Sequence, residues 1–178
     1  IVGHCMESDI ILSNSSVADT FRINKVISNP DLTIEDNPTL PTAFGSYEYD
    51  DEGTKAHKVQ LISNGRVNEY MCSLKTADLL NCSPNGHSRA ISYKFQPIVR
   101  MSNTYMKPGT TDVKNLFDSV DYGIYLKGAG NSRGGLNFAI KYPECYLVQN
   151  GNIVQRTNSV RMFGSVRQVL ENIEYIAK

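Results

Sequence analysis

Net charge is the first thing this sequence lacks. Eighteen Lys and Arg are cancelled by eighteen Asp and Glu in 178 residues, so no overall field draws the chain to nucleic acid or to an anionic membrane. No apolar run approaches the roughly 18–20 residues that span a bilayer, and no secretory signal is visible. The four cysteines, Cys5, Cys72, Cys82 and Cys145, form no CxxC pair and no zinc-knuckle spacing. They read as free thiols of a reducing cytoplasm, although Cys72 and Cys82 could pair. The glycine-rich stretch 128–135 lacks the GxxxxGK[ST] pattern and precedes a strand-like segment, which excludes a phosphate loop. An initiating Met is missing too. Ile1-Val2 opens directly into a helical pattern with no cap, and the expectation is a chain cut inside a functional site.

What is present is an ordinary globular composition, 40% hydrophobic and 20% charged, of a length that makes one domain or slightly more. Residues 1–12 read as a helix end stopped by Ser13-Asn14-Ser15-Ser16, and the chain beyond it as mostly extended. Two Asn-Gly pairs, Asn64-Gly65 and Asn150-Gly151, each lie between β-forming runs and predict hairpins with type I′ turns. Helices are expected at 74–80, at 111–120 behind Thr110, Thr111 and Asp112 as caps, and at 164–176, where Val166, Val169, Leu170, Ile173 and Ile176 share a face. Strands are expected at 122–127 and 136–141. The sum is an α+β fold: predominantly antiparallel sheet, barrel-like or strongly twisted, with three to four helices.

His4 and Glu7 stand at i and i+3, on one helical face. A neutral imidazole is a good zinc ligand, and zinc hydrolases often take two His from one helix with a Glu between them as base. Glu7 either orients His4 or caps and solvates the helix. Asp50-Asp51-Glu52 is a solvated acidic turn or a second metal site. The glycine-rich stretch either lets a peptide backbone approach as an added strand or is a mobile loop.

In order along the chain come Gly3-His4-Cys5-Met6-Glu7-Ser8-Asp9, Glu35-Asp36-Asn37-Pro38-Thr39-Leu40-Pro41, Gly45-Ser46, Asp50-Asp51-Glu52-Gly53-Thr54 and Leu61-Ile62-Ser63-Asn64-Gly65. Asn85-Gly86-His87-Ser88-Arg89, Arg100-Met101-Ser102-Asn103-Thr104-Tyr105-Met106-Lys107-Pro108-Gly109, Tyr122-Gly123-Ile124-Tyr125 and Leu147-Val148-Gln149-Asn150-Gly151 follow. This series resembles the TldD/PmbA family, TldD branch, over about 170 residues. The opening matches the second half of that branch's HExxxH helix, which runs on as G-H-x-x-E-[GA]-D.

The resemblance implies a C-terminal metallopeptidase domain at 1–178, truncated at both ends, with an N-terminal domain absent. It implies a zinc-dependent peptidase that works on unstructured peptides as a homodimer or as a heterodimer with a PmbA-like subunit, in the cytoplasm, with no nucleic acid and no membrane partner. His4 would be the second His ligand and Glu7 its supporting carboxylate. The catalytic Glu and first His would precede Ile1, and a Cys ligand would follow the last helix. Zinc is then expected in the intact protein and weak or absent in this piece, which is expected to be inactive alone. Arg100, Asn103 and Tyr105 could line the peptide channel, or Arg100 and Asn103 could satisfy backbone at a tight corner. The alternative is a non-catalytic PmbA-like peptide-binding partner. His4 and Asn103-Thr104-Tyr105 favour the peptidase, because the PmbA branch resembles PTN at that corner and lacks the histidine helix.

Overall fold

The computed structural model describes residues 2–128, 130 and 132–178, without side chains at 132–134. Ile1, placed above in the opening helix, and Ala129 and Asn131 of the glycine-rich stretch lie outside the described residues. The chain divides into two compact units, Ile1–Lys107 and Pro108–Lys178.

The first unit runs α1 (Val2–Cys5), α2 (Ser8–Ser13), α3 (Ser15–Thr20), β1 (Ile34–Asp36), β2 (Val59–Ser63), β3 (Arg66–Val67), α4 (Leu74–Leu80), β4 (Ser88–Arg89), β5 (Ile98–Val99) and β6 (Thr104–Met106). Its main sheet has the order β3-β2-β1-β6, and β4 pairs with β5, all antiparallel. The predicted hairpin forms between β2 and β3, with Asn64 and Gly65 at φ 48° and 73°, the left-handed pair a type I′ turn requires. Phe21, Met6, Leu32, Leu61, Ile62 and Met71 are fully buried and make the core.

The second unit runs α5 (Val113–Asp118), β7 (Tyr122–Lys127), β8 (Ser132–Gly134), β9 (Asn137–Tyr142), β10 (Glu144–Gln149), β11 (Asn152–Thr157), β12 (Val160–Ser165) and α6 (Val166–Glu171). It holds two three-stranded antiparallel sheets, β11-β10-β7 and β12-β9-β8. The second Asn-Gly turn joins β10 to β11 as predicted. The glycine-rich stretch itself supplies a strand, β8, paired to β9.

The architecture departs from expectation in three respects. There are six helices among the described residues, not three to four, and four separate sheets with no closed barrel. The helices of the opening stretch are short, α1 of four residues and α2 and α3 of six, and β3, β4 and β5 are two residues long, too short to carry a sheet around into a barrel. The opening helix is broken at Glu7, and the stop signal after it starts another helix. The Asn14 side chain accepts from Ser16 N and Val17 N at 3.1 and 3.2 Å, an N-cap that launches α3 where extended chain was expected. The last helix is six residues rather than thirteen. Gly164 and Ser165 are taken by β12, paired with Phe138 and Asn137. At the other end Gly109 N and Thr111 N donate to Ala177 O and Ile176 O, which draws those residues into a bridge. Among the described residues no helix is long and apolar enough to cross a membrane.

Candidate functional site

The break at Glu7 builds the site. Glu7 adopts extended backbone (φ −72°, ψ 122°) and forms a parallel bridge with Met71. In it Met71 N donates to Met6 O and Ser8 N donates to Met71 O, both at 3.1 Å. Cys5, Met6 and Glu7 are thereby pulled into the interior at 1%, 0% and 3% exposure. Gly3 lets α1 close on the segment 101–104, because a Cβ there would overlap the Met101 thioether and come within 2.9 Å of Thr104 Oγ1.

His4 and Glu7 meet as the sequence predicted, His4 Nδ1 lying 3.1 Å from Glu7 Oε1. They do so across a helix break rather than along a helix. The carboxylate also accepts from Met101 N at 3.3 Å and lies 4.0 Å from Arg100 Nη1. Burial raises the Glu7 pKa, against the lowering effects of His4, Arg100 and the Met101 amide, and burial wins. The His4 and Arg100 side chains are each 43% exposed, so a buried carboxylate underlies two half-exposed basic groups.

Of the other predicted residues, Arg100 joins this group, whereas Asn103 and Tyr105 are engaged elsewhere. Asn103 Oδ1 accepts from Gly45 N, and its Nδ2 donates to Asn37 O and Ser46 Oγ, all at 2.9 Å. Those bonds tie three sequence motifs into one corner. Tyr105 donates its hydroxyl to Glu35 Oε2 at 2.7 Å. Burial would raise Glu35, but the bonds from Tyr105 and Lys58 and the charges of Lys58 and Lys107 outweigh it and hold the carboxyl below its ordinary value.

Beneath this corner lies a cluster that sequence reading did not assign. Asp36 and His87 are wholly buried, with His87 Nε2 3.0 Å from Asp36 Oδ1. His87 Nδ1 faces the backbone and side-chain oxygens of Asn85 at 3.0 and 3.1 Å. The Asn85 amide is oriented by its own bonds, Oδ1 accepting from Cys72 N and Nδ2 donating to Tyr70 O. Both imidazole nitrogens therefore face oxygen atoms, Asp36 on one side and Asn85 on the other. Asp36 also accepts from Ser102 N at 3.0 Å and from the hydroxyls of Ser102 and Thr104. Burial raises its pKa, yet the His87, Ser102 and Thr104 bonds prevail and hold it below the usual carboxylate value. Arg100 N donates to His87 O at 2.8 Å, and the Arg89 guanidinium donates to Met101 O. The 100–104 segment that supports Glu7 is thus held from below by the buried Asp36–His87 pair. The available signal was that Asp36 and His87 each fall in a motif; their proximity was not visible, since 51 residues separate them.

The acidic turn is solvated in part, with Asp51 exposed and Asp50 buried, and all three carboxylates are tied to backbone N–H groups. Asp50 is 6% exposed and accepts from Glu52 N, Thr54 N and Ser88 N at 2.9–3.0 Å. Asp51 accepts from Ala90 N and Glu52 from Leu74 N. Each of these carboxylates accepts from at least one backbone N–H.

These residues sit in the motifs that carried the resemblance, and comparison with known proteins agrees. A family model described as PmbA/TldA metallopeptidase C-terminal domain matches residues 1–178. The chain belongs to this family. It is 35% identical to Metalloprotease MJ0996 of Methanocaldococcus jannaschii, over 99% of this chain and 40% of that protein. It is 34% identical to a zinc metalloprotease TldD homolog of Saccharolobus solfataricus, over the same shares. The crystal structure of TldE from Thermococcus kodakarensis superposes with a TM-score of 0.80 at 17% identity, covering 98% of this chain and 40% of that one; this likeness concerns the fold alone. The chain thus spans about 40% of the length of these relatives.

The family name implies a metal. His4 fits as one nitrogen ligand: Glu7 engages Nδ1, and Nε2 of the half-exposed ring is the nitrogen that would meet a metal. Among the described residues no group of three or more His, Cys, Asp or Glu could hold a metal ion.

Proposed function

We propose that this chain is the scaffold of a TldD-type zinc peptidase acting on unstructured peptides, contributing one metal ligand, His4, to a site completed by residues outside it. The observation that carries the reading is the chain from Met101 N through the buried Glu7 carboxylate to His4 Nδ1. A carboxylate on the far nitrogen of a ligating His fixes ring orientation and raises its basicity. Zinc, when bound, lowers the pKa of its water toward about 7 and polarises a carbonyl. Within this chain, Glu7 holds the imidazole and Arg100 offers a half-exposed guanidinium to an acyl oxygen or a carboxylate of the peptide. Asn103 and Tyr105 shape the corner on which Arg100 stands. Dimerisation with a second copy or a PmbA-like subunit, and a cytoplasmic location, belong to the same proposal. The non-catalytic alternative has less support, since the chain is 34–35% identical to proteins named metalloproteases and keeps His4 and Glu7.

The test is zinc content and peptide cleavage by the intact protein. His4→Ala is expected to lose both. Glu7→Gln is expected to retain the site with zinc affinity about 10–100-fold weaker. The isolated chain is expected to cleave an unfolded peptide with added zinc far more slowly than the intact protein. Full zinc occupancy and unchanged cleavage in His4→Ala removes His4 from the site.

A further inference from the structure

The Cys72 and Cys82 sulfurs lie 3.5 Å apart, in a position the proposed peptidase chemistry does not use. They flank α4 on its two sides. Cys72 precedes the N-cap Ser73, which forms a reciprocal capping box with Thr76; Cys82 follows Asn81, the C-cap, in left-handed conformation at φ 52°. Each end is pinned separately. Cys72 N donates to Asn85 Oδ1 at 2.7 Å, and Cys82 N donates to Ala77 O at 2.9 Å. The approach of the two sulfurs is therefore imposed by the turn at each end of the helix. The two thiols are also unequal: Cys72 is 1% exposed, whereas Cys82 is exposed. Cys82 borders a cavity of about 820 Å³ whose other walls include Ile11, Ala18, Tyr70 and Leu80, which gives a small oxidant access.

We propose that Cys72 and Cys82 are a redox-active dithiol, closed to a disulfide by a small-molecule disulfide of the glutathione class. In the first exchange the Cys82 thiolate attacks one sulfur of the oxidant, forms a mixed disulfide and expels one thiolate. In the second, Cys72 attacks the Cys82 sulfur and expels the other thiolate, and its proton passes to the leaving sulfur. Two protein thiols become one disulfide and the oxidant becomes two thiols, so two electrons and two protons are accounted for. Burial pushes the Cys72 thiol up to about 12, which sets the order: the exposed thiol reacts first and the buried one resolves. Closure brings the sulfurs from 3.5 Å to about 2.05 Å. A cross-link here staples α4 next to Asn85, the residue that orients His87.

The experiment treats the intact protein with oxidised glutathione, blocks remaining thiols and digests with trypsin. The expected product is peptide 67–75 disulfide-linked to peptide 76–89, with no glutathione retained, and dithiothreitol reverses it. Cys72→Ser is expected to stop at a glutathione adduct on Cys82. Cys82→Ser is expected to leave Cys72 unmodified, and Cys5→Ser with Cys145→Ser to change nothing. The proposal is overturned if the unaltered protein keeps glutathione on Cys82 without closing, if it fails to react, or if a different pair links.

Discussion

Truncation of Asp36 to alanine probes the support beneath the candidate site. The wild-type carboxylate, itself fully buried against the buried His87, accepts from His87 Nε2, Ser102 N, Ser102 Oγ and Thr104 Oγ1. Asp36→Ala removes one side of the buried Asp36–His87 pair, and breaking a buried pair from one side costs about 3–5 kcal/mol. A domain has about 5–15 kcal/mol in total, so a large part of the first unit's stability is at stake. At a urea slope of about 1–3 kcal/mol per M, a loss of about 4 kcal/mol lowers the midpoint by more than about 1 M. Asp36→Asn keeps the shape and one acceptor oxygen, and is expected to lose about 2 kcal/mol as charge-assisted bonds become neutral ones. Far-UV circular dichroism and tyrosine fluorescence follow the transition, the chain having ten Tyr and no Trp. The pH dependence has a definite sign. The folded Asp36 pKa is held below the unfolded value of 3.8, so its contribution is complete above about pH 5 and drains away as pH falls through the folded value. Asp36→Asn lacks that acid limb. A cost for Asp36→Ala under about 1 kcal/mol, or a coupling in the Asp36→Ala/His87→Ala cycle under about 0.5 kcal/mol, refutes the buried-pair reasoning.

Two further substitutions probe the site from other directions. The folded Glu7 pKa is raised above 4.5, so ionising Glu7 costs stability as pH rises from the unfolded value through the folded one. Glu7→Gln in the metal-free chain is expected to abolish that loss and to equal or exceed wild-type stability at pH 7, and urea midpoints at pH 4 and 7 that show it weaker by more than about 1 kcal/mol at pH 7 contradict this. Gly86→Ala places a Cβ 2.5 Å from Ala56 Cα on backbone at φ 71°. It is expected to cost about 2 kcal/mol or more by thermal melting and to disorder the Asn85–His87 contact; a change under about 0.5 kcal/mol is incompatible with the packing described.

The elements that were legible in the sequence are those whose causes are local. Both Asn-Gly hairpins formed because φ > 0 at two adjacent residues is a property of the dipeptide. α4 spans the predicted Leu74–Leu80, its start set by the Ser73 cap. The misread elements depend on distant partners. The opening helix breaks because Glu7 is claimed by Met71, and α6 ends early because residues near 177 are claimed by 109–111. The candidate site divides in the same way. His4 and Glu7 were readable as an i, i+3 pair. That Arg100 stands beside them while Asn103 turns to Gly45, and that Asp36 meets His87, follows from sheet register between segments scores of residues apart.

The Glu7–Met71 bridge also sets where the chain tolerates a change of length. It couples the main chain next to His4 to the segment that follows β3, with backbone hydrogen bonds on both sides of Met71. One residue inserted at 68–71 would shift the register by one and swing the imidazole away from its carboxylate. The stretch 91–95, which displays Ile91, Tyr93 and Phe95 to solvent, has no such coupling. A fluorophore or affinity tag for following this protein belongs there, where its length is absorbed before it reaches the histidine.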